Sequence, residues 1–431
     1  MLQAKDVNNT IFLTAEKLIK IICILISSVI LARFLGPENF GLYSYLVSVV
    51  AIIAAFSSLG LNSLITKSIA DEEDQAESIL NTAISLRIIS SLAVTFLLVL
   101  AIQFDLINAP PQENYMLVFL TFCTSFNSLT VIDHYFIKKQ RFRKASGMRA
   151  SVILLSTFLK VIAAYCGGIQ YLIVATGAET LLLGAGYLLI AKNDTQLKLQ
   201  LKIDTQRSRT LLNQSKWLIL SGLAASLNLK IDQSMLRFML GLEETGIYAA
   251  ASQISEFWYF FPAIVASIYF PKMLNERHDK DNFREILQKS CDIILLISFI
   301  IICFLFFSSE QLIALAYGAS YADAAGVLKI HLWAGLFIAM RAVFSKWLIS
   351  VNLLHFSLVT HGAGAACNIL LNTGLIPYFG IEGAAYATVI SYAASSYFAL
   401  LLFKKTRPMA WVMTKSFALP FRAISRQLER K

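Results

Sequence analysis

The stretch LGPENFGLY, Leu35–Tyr43, returns as LGLEETGIY at Leu240–Tyr248. Gly36 and Gly241, Gly41 and Gly246, and Tyr43 and Tyr248 all stand 205 positions apart (241 − 36). A second echo closes each half: Gly168, Ile169, Ala175 and Thr176 come back as Gly380, Ile381, Ala387 and Thr388, at an offset of 212 (380 − 168). Two matches in the same order at nearly the same spacing indicate an internal duplication, and repeats of this kind are a mark of transporters whose halves work around a substrate site.

The rest of the chain says which solvent those halves meet. With 57% hydrophobic and 15% charged residues and a mean hydropathy of +0.65, the chain has too little polar surface for a water-soluble globule. Long apolar runs of about 20 residues each, the length that spans a bilayer core, follow one another from the first turn to about residue 403. They predict an all-α integral membrane protein of about twelve transmembrane helices, in two six-helix bundles related as parallel repeats. Helices rather than barrel strands follow from the length of the runs. The longest polar interval, Lys192–Lys216, falls near the midpoint. The expected organisation is therefore a bundle over 1–195, a linker over 196–215, a second bundle over 216–405 and a basic, amphipathic tail over 406–431.

The net charge of +10 is distributed as membrane topology distributes it. Lys138, Lys139, Arg141 and Arg143 follow the fourth run, Lys198, Lys202 and Arg207 the sixth, Lys272, Arg277 and Lys280 the eighth, and Lys404, Lys405 and Arg407 the twelfth. The alternate loops GPEN, QFDLINAPPQEN, GLEET and SSEQLIALAYGASYADAAG hold no Lys or Arg. The positive-inside rule then puts both termini and the basic loops in the cytoplasm. Lys67 followed by DEEDQAE is an exception with no assigned role. The N-terminal run, bracketed by Lys17, Lys20 and Arg33, reads as an uncleaved helix rather than a signal peptide. The tail, with Trp411, Phe417, Leu419 and Phe421 among Lys415, Arg422, Arg426, Arg430 and Lys431, can lie on the membrane surface or be solvated.

No phosphate-binding loop, dinucleotide fingerprint, zinc-protease motif or nucleophile elbow is present, so neither a cofactor nor enzymatic chemistry is indicated. The six cysteines are scattered in apolar segments without CxxC spacing, and the five histidines have no ligand spacing, so no metal is indicated. What stands out is a set of charges inside apolar runs, where each costs a few kcal/mol unless it faces a partner or a wet cavity. Lys160 and Glu179 are symmetric about the Gly168–Ile169 midpoint, and Lys230 and Glu256 about Glu243; a hairpin brings each pair to one depth, as an ion pair or as a functional pair. Lys329 and Lys346 sit near run ends and can snorkel. Arg87 and Arg341 lack an equally clear acid, although Asp133 is within about two turns of Arg87 on the neighbouring helix. Lys230 and Arg237 share a helix face. Cations outnumber acids in this set, which suits an anion, and a guanidinium suits phosphate. The candidate substrate-binding cations are Arg87, Arg341, Lys230, Arg237 and Arg33; the candidate coupling or structural acids are Asp232, Glu256 and Glu179. For Arg87 and Arg341 the alternative is a structural tie to a buried acid or to backbone carbonyls.

Three segments, ARFLGPENFGLYSYLVSVVAIIAAFSSLGL, IDQSMLRFMLGLEETGIYAAASQISEFWYFFPAIVASIYFP and NILLNTGLIPYFGIEGAAYATVISY, together resemble the oligosaccharide flippases of the multidrug, oligosaccharidyl-lipid and polysaccharide exporter superfamily. The resemblance implies a V-shaped pair of bundles with a central cationic cavity. It implies passage of polyprenyl-diphosphate-linked oligosaccharide, such as an O-antigen or other surface polysaccharide unit, to the outer leaflet of a bacterial inner membrane. Asp232 and Glu256 fall at acidic positions of that pattern, and Pro262 and Pro271 at its prolines. The implied partners are the lipid-linked substrate and membrane lipids, with a polysaccharide polymerase and a chain-length regulator as protein partners; nucleic acid is not among them. A cation-coupled multidrug exporter or a flippase of the peptidoglycan lipid precursor is the alternative within the superfamily. A glycan polymerase fits less well, because the outer loops are short and lack basic residues.

Overall fold

A computed structural model describes residues 4–71, 75–107, 109–139, 141–194, 197, 199–200 and 202–418. The middle of the acidic loop, 72–74, and Leu419, Phe421, Arg422, Arg426, Arg430 and Lys431 of the tail lie outside the described residues.

Among the described residues, eight helical stretches are long and apolar enough to cross a membrane, as expected for a multi-pass membrane protein. Three of them, Ala15–Ser57, Phe142–Lys192 and His355–Leu402, run 43, 51 and 48 residues, about twice what a bilayer core needs. Each is divided where a glycine leaves helical geometry: Gly36 (φ 71, ψ 172), Gly168 (φ 69, ψ −153) and Gly380 (φ 58, ψ −138). With these divided, and with the less apolar Thr205–Met239 counted, the described residues hold twelve membrane-length helices.

Four of the six repeated glycines, Gly36, Gly168, Gly241 and Gly380, are therefore the joints of the fold. Gly241 ends the helix Thr205–Met239 with φ 112 and ψ −175, the counterpart of Gly36, while Gly380 is the counterpart of Gly168. This backbone region is essentially closed to residues with a Cβ. A Cβ built at any of the four meets nothing within 4 Å, so conformation rather than space calls for glycine. Chain reversal is visible in the contacts. Lys160 pairs with Glu179 across Gly168, Lys230 lies 3.1 Å from Glu256 across Gly241, and Asn368 lies 3.3 Å from Ser391 across Gly380.

The chain divides into two compact units, Met1–Ser226 and Leu227–Lys431. The first contains α1 (Ala4–Ser57), α2 (Leu61–Asp71), α3 (Ala76–Gln103), α4 (Pro111–Cys123), α5 (Ile132–Lys138), α6 (Phe142–Lys192) and the start of α7 (Thr205–Met239). Between α4 and α5 the chain tightens into a 3-10 helix, Thr124–Val131, longer than such runs usually are, and its Ser125 donates to Ser91 of α3 at 3.0 Å. Residues 205–215 of the expected linker are the first turns of α7.

The second unit contains the rest of α7, then α8 (Leu242–Glu256), α9 (Phe260–Asn275), α10 (Lys280–Phe307), α11 (Ser309–Ala316), α12 (Ala324–His331), α13 (Ala334–Ser350), α14 (His355–Ala393), α15 (Ala399–Leu402) and α16 (Arg407–Phe417). A π-helical turn, Ala394–Phe398, joins α14 to α15. The first part of the expected tail is α16, whose Met409, Ala410, Val412 and Met413 are buried. It is tied to α10 by Gln288 Nε2, which donates to Val412 O at 3.1 Å and to Ser416 Oγ at 2.7 Å.

Candidate functional site

Asp232 lies within α7, 3% exposed. A carboxylate taken out of water costs several kcal/mol unless hydrogen-bonded or neutralised, and three side chains converge on this one. Asn372 Nδ2 of α14 donates to Oδ1 at 2.8 Å; on Oδ2, the Tyr248 hydroxyl of α8 sits at 2.8 Å and the Thr388 hydroxyl of α14 at 2.5 Å. All three partners are neutral. The joints of the fold bring them there. Tyr248 stands two turns past Gly241, and Asn372 and Thr388 lie on opposite arms of the hairpin that reverses at Gly380.

The same amide of Asn372 also donates to Asn368 Oδ1 at 2.6 Å; the two asparagines are one turn apart on one face. Asn372 Oδ1 is buried with no hydrogen-bond partner, as is Asn228 Oδ1 of α7. Farther out, His331 of α12 meets Tyr248 edge-on, with ring centroids 5.9 Å apart, and its Nδ1 is 2.9 Å from Ser255 Oγ. The result is a buried, oxygen-rich constellation around one carboxylate. Such an arrangement is suited to a proton or a small monovalent cation, either of which neutralises the acid.

The expected cations divide into distinct environments. Arg87 of α3 and Arg341 of α13 are each 7% exposed. Arg87 Nη1 donates to Asn62 Oδ1 at 3.2 Å; Arg341 donates through Nη1 to Ser395 O at 3.0 Å and through Nη2 to Thr360 Oγ1 at 3.1 Å. These partners too are neutral, and the Nε of each guanidinium is buried without one. Asp133, expected near Arg87, instead pairs with Arg149, which also holds Glu16. Long-range packing of α1, α5 and α6 decides that partnership, and reach along adjacent helices did not foresee it. Lys230 is taken up by Glu256. Arg237 lies 6.0 Å from the Phe238 ring centroid, and Arg33 is exposed. Of the residues expected to snorkel, Lys329 reaches Glu310 at 2.6 Å and Lys346 lies 5.1 Å from the Phe270 ring centroid.

The residues that complete the Asp232 site, Tyr248, Asn368, Asn372, Thr388 and His331, are not among the candidates drawn from the sequence, because neutral amides, hydroxyls and a lone histidine in apolar runs look like ordinary interior residues beside the buried charges. A signal was nevertheless present: Tyr248 and Thr388 are themselves repeat positions, and the two asparagines stand at helical spacing in an apolar run. Among the described residues no cluster of three or more His, Cys, Asp or Glu is placed to hold a metal ion.

A family model described as polysaccharide biosynthesis protein matches residues 30–326. The chain is 22% identical over 377 residues to the probable low-salt glycan biosynthesis flippase Agl15 of Haloferax volcanii, covering 85% of this chain and 76% of that one. It is 24% identical over 235 residues to an uncharacterized membrane protein of Methanocaldococcus jannaschii, covering 53% and 45% of the two chains. Among solved structures, the lipid II flippase MurJ in an inward closed conformation aligns with a TM-score of 0.75 at 16% identity, over 96% of this chain and 92% of that one. An inward-facing multidrug resistance MATE family transporter of the MOP superfamily aligns with a TM-score of 0.69 at 14% identity, over 93% and 95%. These likenesses show the fold: an all-helical membrane protein of the MATE and MurJ kind.

Proposed function

The chain belongs to the polysaccharide biosynthesis protein family, and from that premise we propose that it is a transporter rather than an enzyme, and that it flips a polyprenyl-diphosphate-linked oligosaccharide from the cytoplasmic to the outer leaflet by alternating access. The substrate would be a repeat unit of a surface polysaccharide such as an O-antigen. The basic loops and both termini would face the cytoplasm, as the distribution of Lys and Arg requires. A relative named as a glycan biosynthesis flippase supports the substrate class.

The observation that carries this reading is the pair of buried guanidiniums, Arg87 and Arg341, each held by neutral partners and each with an unused donor nitrogen. A permanent positive charge in an apolar bundle, compensated by dipoles alone, attracts an anion, and a diphosphate accepts bidentate bonds from a guanidinium. Asp232 supplies the second half of the mechanism. Its carboxylate would take up and release a proton or a monovalent cation, making the buried charge tolerable in one state of the transport cycle and intolerable in another.

Complementation of a flippase-deficient strain, with membrane protein levels measured in parallel, tests the reading. Arg87→Ala and Arg341→Ala should insert normally and lose glycan export. Full export by both variants overturns the substrate role, and export that falls only in step with protein amount assigns both residues to structure.

A further inference from the structure

The two offsets of the sequence repeat allow the Asp232 site to be compared with its counterpart in the first unit. The 205-residue offset pairs Asp232 with Ser27 and Tyr248 with Tyr43; the 212-residue offset pairs Asn372 with Lys160, Thr388 with Thr176, and Ser391 with Glu179. Tyrosine and threonine are kept. The charges are not.

In the second unit the set holds one acid, Asp232, beside neutral Asn372 and Ser391. In the first, Ser27 replaces the acid and turns to the carbonyl of Ile24 at 3.0 Å. An ammonium and a carboxylate stand at the asparagine and serine positions, where Lys160 Nζ donates to Glu179 Oε2. The two hairpins are bridged one turn apart: Lys160 meets Glu179 in the first, whereas in the second Ser391, the counterpart of Glu179, is reached at 3.3 Å by Asn368, one turn before Asn372. The repeat is electrically neutral in the first unit and carries one negative charge in the second.

We propose that Lys160 is a tethered cation. Its ammonium permanently fills, in the first unit, the role that an exchangeable cation plays at Asp232 in the second, and so restricts the protein to one exchangeable cation per transport cycle. This rests on the reading of Asp232 as the coupling group. Physically, a lysine on a four-carbon stem is a compact point charge that can stand in for a small ion, and it cannot leave. The pair is not sealed in the core, with side-chain exposures of 15% for Lys160 and 26% for Glu179, and exchange there requires that a soluble ion reach Glu179 once the ammonium is removed. Tyr43 is the other titratable group that interacts with Lys160, while Tyr248, His331 and Tyr392 interact with Asp232, and His331 in turn with Lys230 and Glu256.

The test uses the purified full-length protein in detergent, titrated with NaCl against choline chloride and, separately, with acid to measure proton uptake. Thermal unfolding is followed in parallel. The wild type should respond to one of the two cations, with saturation at one per chain, and Asp232→Asn should abolish the response. Adding Lys160→Asn to Asp232→Asn should restore binding of one cation per chain, and adding Glu179→Gln should remove it again. Asp232→Asn with Lys160→Arg, which keeps a tethered charge, should remain silent. A folded Asp232→Asn, Lys160→Asn protein that binds nothing overturns the proposal, and Lys160→Gln serves where the asparagine variant does not fold. A wild-type response that survives Asp232→Asn instead overturns the reading of Asp232, and is distinguishable because it appears before position 160 is changed.

Discussion

Asn372 donates to Asp232 at 2.8 Å while its own amide oxygen, fully buried, has no hydrogen-bond partner. A side chain placed in this way directs one polar group at the acid and leaves an acceptor beside it. An unsatisfied buried acceptor costs about 1–3 kcal/mol, a cost that a bound cation would offset.

Tyr248→Phe and Thr388→Val each remove one hydroxyl from Oδ2 of Asp232. Each should weaken the folded protein by about 1–3 kcal/mol if the carboxylate is charged, and by clearly less in the Asp232→Asn background. Thermal unfolding of the three single and two double variants measures the coupling, and strictly additive losses would show that the hydroxyls do not act through the acid.

Arg341→Lys should restore only part of the export lost in Arg341→Ala. An ammonium cannot reproduce the paired donors that reach Ser395 O and Thr360 Oγ1 while also offering a bidentate face to phosphate. Export normalised to protein amount in the complemented strain is the readout, and complete rescue by Lys would leave charge alone as the requirement.

Gly168→Ala and Gly380→Ala should each lower stability by about 1–3 kcal/mol, since the cost lies in the backbone conformation. Gly383→Leu should be worse. A Cβ there would lie 2.3 Å from Leu375 O on the opposite arm of the hairpin, so the arms must separate. Unfolding temperatures of the three variants rank the effects, and a Gly383→Leu protein as stable as the wild type would contradict the close packing.

Cysteine labelling from either side of the membrane should find Asn39 and Glu243 outside and Arg141 and Lys280 inside. Labelling of Glu243→Cys only from the cytoplasm would reverse the topology on which the direction of transport depends.

Outside the spans, the carboxyl of Glu310 is held below its usual value of 4.5 by the hydrogen bond from Lys329 Nζ and by that residue's charge. A depressed folded-state value means that the stabilisation is present above the unfolded value and fades as pH falls through the folded one. Lys329→Gln should therefore flatten the loss of stability below about pH 4.5, by a small amount because the acid is exposed.

What could be read along the chain was whatever is local. Hydropathy marks the spans because lipid demands a continuous apolar run. The recurring glycines mark the hairpins because their backbone region excludes other residues, and symmetry about a hairpin pairs Lys160 with Glu179 and Lys230 with Glu256. Tertiary structure alone decided that Asp232 meets Asn372 and Thr388, 140 and 156 residues away, and that Asp133 binds Arg149 rather than Arg87. Neutral amides and hydroxyls in apolar helices look like ordinary interior residues in one dimension, and which of them surround a buried charge depends on how separate hairpins rotate and pack. That choice is made by side-chain packing across the bundle, which leaves no periodic trace in the sequence.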